Sequence, residues 1–142
     1  MKLRLAATIA AATLAVGLAG PLQARTIHYA AALSGAAEVP PNTTSGTGKV
    51  QADLDTTTRK FTYTVIYSGL TGSAVAAHFH GPAAPGTNAP PIITIKDLAS
   101  PIKGSATLTA DQMADLQAGK WYFNVHTKAH PGGEIRGQLT AR

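Results

Sequence analysis

Five histidines occur in the 142-residue chain, and two of them, His78 and His80, sit two apart in the segment AAHFHGPA. Side chains two apart on a strand share a face and lie about 6.5 to 7 Å apart, from a rise of roughly 3.3 Å per residue. Two imidazoles so placed can lean onto one metal ion, each nitrogen near 2 Å from it. Phe79, between them, then faces the core. The run WYFNVHTKAH has the same parity: with Trp121, Phe123 and Val125 buried, Tyr122, Asn124 and His126 point outward, and His130 follows after a turn. If the two strands are neighbours, about 4.8 Å apart, a site of three or four nitrogens closes from His78, His80, His126 and His130. His28, earlier in the chain, reads as an ordinary surface histidine.

Imidazole nitrogen suits zinc, copper, nickel and iron. The chain has no cysteine, so the donors are nitrogen without thiolate, and copper binds such sites more tightly than the other divalent first-row metals. Copper is the expected ion and zinc the alternative. Glu38, in AAEVPP, can pair with Arg136, hold a histidine in one tautomer or ligate the metal itself. Arg136, in EIRGQL, can draw anions toward a metal or form a structural ion pair. Asn124 can orient a ligand or stand as a plain surface amide. No catalytic set is visible: the few serines lie outside any GxSxG setting, and no glycine loop has the form of a phosphate cradle.

Alternation marks the elements that must carry these residues. In KFTYTVIYS, Phe61, Tyr63, Val65 and Tyr67 share one face, and KVQADL alternates Val50, Ala52 and Leu54 with polar neighbours. Further strands are expected over Thr26–Leu33, Val75–His80, Ile92–Leu98, Gly104–Leu108, Trp121–Thr127 and Glu134–Leu139. Eight short strands between Gly/Pro/Asn/Thr turns predict an all-β Greek-key sandwich or barrel. The segment TADQMADLQAG predicts one short helix, with Thr109 and Gln112 as a capping box, Gly119 past its end, and Met113 and Leu116 facing the core. The Pro/Gly loop GPAAPGTNAPP stops the histidine strand abruptly.

Residues 1–24 read as a secretory signal peptide: Lys2 and Arg4, an uncharged Ala/Leu run, and a small-residue end at Ala24. The apolar run is short for a membrane span, which needs about 20 residues, and no second run follows. One domain over residues 25–142 is expected, exported to the periplasm or secreted. Removing the leader lowers the formal charge from +5 to +3, with the remaining Lys and Arg scattered, so nucleic acid is not an expected partner. The expected partners are a metal ion and another exported protein.

The blocks LSGAAEVPP, AAHFHGPA, LQAGKWYFNVHT and HPGGEIRGQL resemble the chordin (CHRD) domain, in order, from about His28 to Leu139. That resemblance implies an immunoglobulin-like or superoxide-dismutase-like β-barrel and an extracellular setting. A more distant similarity is to copper, zinc superoxide dismutase, where a His-x-His strand and a later histidine strand supply copper ligands; His78, His80 and His126 stand at matching positions. The cysteine pair and the zinc-holding loop of that family are missing here. The expected function is metal buffering, delivery or protection, with a superoxide-dismutase-like copper enzyme and a metal-free extracellular interaction module as alternatives.

Overall fold

Alternating apolar and polar residues build one curled sheet, strand by strand. In the computed structural model, which describes residues 25–142, β1 (Thr26–Ser34), β2 (Thr47–Asp55) and β3 (Lys60–Ser68) form an antiparallel meander. β4 (Ala74–His80) and β5 (Pro91–Thr94) pair with each other, and β6 (Ile102–Thr107) returns to β3. After α1 (Ala110–Gln117), the chain ends in β7 (Tyr122–Thr127), β8 (Ile135–Gln138) and β9 (Thr140–Ala141). The leader expected over residues 1–24 lies outside the described residues.

The strand order is β5–β4–β7–β8–β1–β2–β3–β6, with β9 pairing β1. The crossing from β3 to β4 over residues 69–73, and the return through α1, place β7 and β8 between β4 and β1. Strands far apart in sequence thus become neighbours in an all-β, nearly closed antiparallel barrel with one short helix. Gly137 marks the closest seam, where β8 meets β1: a Cβ there would lie 2.2 Å from the Ala32 carbonyl oxygen.

The inward parity gives the core. Phe61, Val65, Phe79, Phe123 and Val125 are fully buried, with Trp121 almost so and Tyr63 packed at the margin. The rings meet edge to face, Phe79 standing 5.3 Å from Phe61 and 4.7 Å from Phe123 between centroids, the arrangement that ring quadrupoles favour. Helix α1 closes one end. Thr109 Oγ1 accepts from Gln112 N at 3.1 Å and Gln112 Oε1 accepts from Thr109 N at 2.9 Å, while Leu116 is buried and Met113 packs on the core.

Two strands end differently from expectation. The segment expected over Ile92–Leu98 is a strand only over Pro91–Thr94: Ile95 N still donates to Ala77 O on β4, and the chain then turns where Asp97 Oδ1 accepts from Ala99 N. The segment Glu134–Leu139 is divided: Leu139 N turns to Trp121 O, and Thr140 pairs with Ala30 on β1. A 3₁₀ turn at Gly35–Ala37, not expected from the sequence, carries the chain from β1 toward Glu38.

Candidate metal centre

Register brings the histidines together. β4 pairs antiparallel with β7, so His78 lies opposite Asn124, His80 opposite Tyr122 and Ala76 opposite His126. The small Ala76 leaves the His126 ring room to lean toward His78, and His78 Nδ1 is 3.2 Å from His126 Nε2. One nitrogen from each of His78, His80 and His126 lies within 4.8 Å of the others. Donors about 2.0 to 2.1 Å from one ion stand about 2.9 Å apart at right angles and about 3.3 Å apart at tetrahedral angles. The closest pair already has the spacing of two ligands on one ion.

Backbone carbonyls fix two of the rings. His80 Nδ1 donates to Ala89 O at 2.8 Å, and His126 Nδ1 donates to Pro131 O at 2.9 Å. A carbonyl oxygen only accepts, so each Nδ1 carries the proton and a neutral ring keeps a bare Nε2 toward the cluster. This is how metal-binding histidines are usually oriented. Burial, followed by the neighbouring charges of His126 and His80, pushes the His78 pKa below its ordinary value. Burial also lowers that of His80, against the opposing hydrogen bonds from Ala89 and Asn124. The neutral, lone-pair form is favoured in both.

The outward parity holds, but the face is not open. His80 is only 7% exposed, because the loop from Gly81 to Pro90 folds back over it. Arg136, read from sequence as an anion attractor or ion-pair partner, is what holds that loop. Its guanidinium donates to Thr87 O at 2.6 Å and to Asn88 Oδ1 at 2.8 Å, and lies 3.5 Å from the centre of the Tyr122 ring. Tyr122 in turn stacks on His80, nearly parallel at 4.6 Å. Arg136 is 2% exposed and spends one donor from each terminal nitrogen on the loop, so its role here is to seal the loop over the site.

Glu38 is buried behind Asn124. Burial pushes its carboxyl up to about 7, opposed by the Arg136 charge, the Val39 N–H and the Asn124 amide. Oε1 has no hydrogen-bond partner among the described residues, and His28 Nδ1 meets Asp53 Oδ1 at 2.6 Å across β1 and β2. His28 is therefore remote from the cluster. His130 is also outside the three-nitrogen group. A tight turn, with His130 N donating to Thr127 O, takes it round the corner, where it lines a hollow of about 240 Å³ with Glu38. A larger groove of about 650 Å³ lies on another part of the barrel, lined by His28, Tyr63 and Arg142.

Glu134 was not singled out from sequence, yet it organises this end of the barrel. Its carboxylate accepts from Thr44 Oγ1 at 2.6 Å, Thr71 N at 2.7 Å, Thr71 Oγ1 at 2.8 Å and Thr127 Oγ1 at 2.5 Å. Burial alone would raise its pKa, but the bonds from Thr127, Thr44 and Thr71 outweigh that and hold it at about 2. A strand-end glutamate beside scattered threonines carries no local signature. Only the fold brings two loops and the end of β7 to it.

No curated protein and no solved structure matches the chain. The CHRD domain family model matches residues 29–139, a span that contains the histidine cluster, its loop and the Glu134 knot. The chain belongs to the CHRD domain family.

Proposed function

We propose that this CHRD domain is an exported metal-binding protein that holds a copper ion between His78 Nδ1, His80 Nε2 and His126 Nε2, for buffering, delivery or protection. The observation that carries the reading is the convergence of three imidazole nitrogens within 4.8 Å, two of them with the tautomer set by Ala89 O and Pro131 O. Nitrogen donors without thiolate favour copper, with zinc next. The basic and then apolar leader supports export to the periplasm or the medium. Two of its three rings are held by backbone carbonyls before the ion arrives.

Competitive titration of the apo protein with Cu(II) and Zn(II) tests this. One ion should bind per chain, with copper preferred. His78→Ala, His80→Ala and His126→Ala should each weaken binding by about 100-fold or more, because each removes one of three donors, while His28→Ala and His130→Ala should leave it within about twofold. Equal losses for all five replacements, or undiminished binding in the His80 variant, would refute the assignment.

A further inference from the structure

A fourth lone-pair atom faces the same space as the three imidazoles, and its meaning rests on the metal-binding reading above. Asn124 Oδ1 lies 2.9 Å from His80 Nε2 and 2.9 Å from His126 Nε2. With each Nδ1 proton given to a backbone carbonyl, neutral rings have no hydrogen on Nε2 to offer that oxygen. His126 Nε2 can accept from His78 Nδ1, but Asn124 Oδ1 faces two bare nitrogens and receives a proton from neither. Lone pairs gathered in this way, in a buried place, are the electrostatic image of a cation.

Turning the amide over would point its NH₂ at both imidazoles and remove the conflict. Glu38 opposes that turn. The two groups meet at Gly133. A Cβ on Gly133 would lie 2.3 Å from Glu38 Oε1 and 2.8 Å from Asn124 Nδ2. Gly133 has φ +129, so glycine supplies both the backbone conformation and the space that let carboxylate and amide nitrogen sit side by side. With the amide reversed, Oδ1 would face that carboxylate instead.

We propose that Asn124 Oδ1 is a fourth donor to the ion held by His78, His80 and His126, with Glu38 as the positioning residue that keeps this oxygen turned inward. Three of the six spacings among the four donor atoms, 2.9, 2.9 and 3.2 Å, fall in the range of about 2.9 to 3.3 Å expected for adjacent ligands on one small ion. A neutral amide oxygen beside three imidazoles is a harder donor set than imidazole alone. It favours the divalent over the monovalent copper ion.

The test uses the full protein loaded with Cu(II) and examined by electron paramagnetic resonance in 17O-enriched water. Asn124→Ala should bind copper about 10- to 100-fold more weakly and admit one additional water, seen as new 17O hyperfine coupling. Asn124→Asp, which returns an oxygen to the position, should remove that coupling and recover affinity. An Asn124→Ala protein with wild-type affinity and no added water would overturn the proposal. Should that variant fail to melt cooperatively, wild-type protein labelled with 13C at its asparagine side-chain carbonyls decides: on Zn(II) binding the Asn124 signal should move far more than those of Asn42 and Asn88. Equal or negligible movement of the three would overturn it. If wild-type protein binds no copper, the histidine assignment falls as well; if it binds copper and only the Asn124 results are negative, the fourth donor alone falls.

Discussion

Replacing Glu134 with Gln is the sharpest test of how the loops around the site are held. The carboxylate has two acceptor oxygens serving four donors, whereas a glutamine amide has one acceptor oxygen and an NH₂ that only donates. One side of the knot must therefore lose its acceptor. Holding the carboxyl at about 2, against an ordinary value of 4.5, corresponds to roughly 3 kcal/mol at neutral pH. Thr71 is exposed, so solvent screening reduces this, and we expect Glu134→Gln to lose about 2 to 3 kcal/mol. The melting temperature should fall by roughly 10 °C. Because the folded-state pKa is depressed, the wild-type advantage is complete above pH 4.5 and is lost as pH falls toward about 2. Urea unfolding followed by fluorescence of Trp121, the single tryptophan, should show the gap between the two proteins narrowing by about 1 kcal/mol from pH 7 to pH 3.5. A gap that stays constant over that range, or is below about 0.5 kcal/mol at pH 7, would refute the reasoning.

Phe79→Ala should cost about 3 to 5 kcal/mol in the same assay, whereas Ile66→Ala, at a residue 43% exposed, should stay within about 1 kcal/mol; similar losses at both would show that the core is not where the inward parity puts it. Gly137→Ala drives a Cβ against the Ala32 carbonyl oxygen and should abolish cooperative folding or lower the melting temperature severely, while Gly72→Ala, which meets nothing within 4 Å, should melt close to wild type.

Much of the site was legible because strand parity is local. Counting alternate residues in AAHFHGPA and WYFNVHTKAH put His78, His80, Asn124 and His126 on one face and Phe79, Phe123 and Val125 on the other, as the structure does. The capping box at Thr109 and Gln112 was equally local. What parity could not reveal is what lies above a face. His80 is buried by a loop whose anchor, Arg136, lies nearly fifty residues further along the chain, and nothing near Arg136 in sequence told an ion-pair partner or an anion attractor from a loop anchor. His130 was placed near the cluster by its spacing from His126, but the turn between them reverses the chain. Glu134 gained its meaning only when Thr44, Thr71 and Thr127 arrived from three parts of the chain.

These long-range contacts also decide how the centre responds to its ion. The His80 and His126 tautomers depend on Ala89 O and Pro131 O, which belong to loops, not strands. One loop is fastened by Arg136; the turn after β7 is bounded by Glu134, whose partner Thr127 adjoins His126. Two buried charged groups thus hold the supports of the imidazoles without touching the nitrogens that face the ion. An ion bound by this arrangement stabilises it by its preference for the native form, and hydrogen exchange should slow on filling the site more in the polar half of the barrel than in the aromatic core.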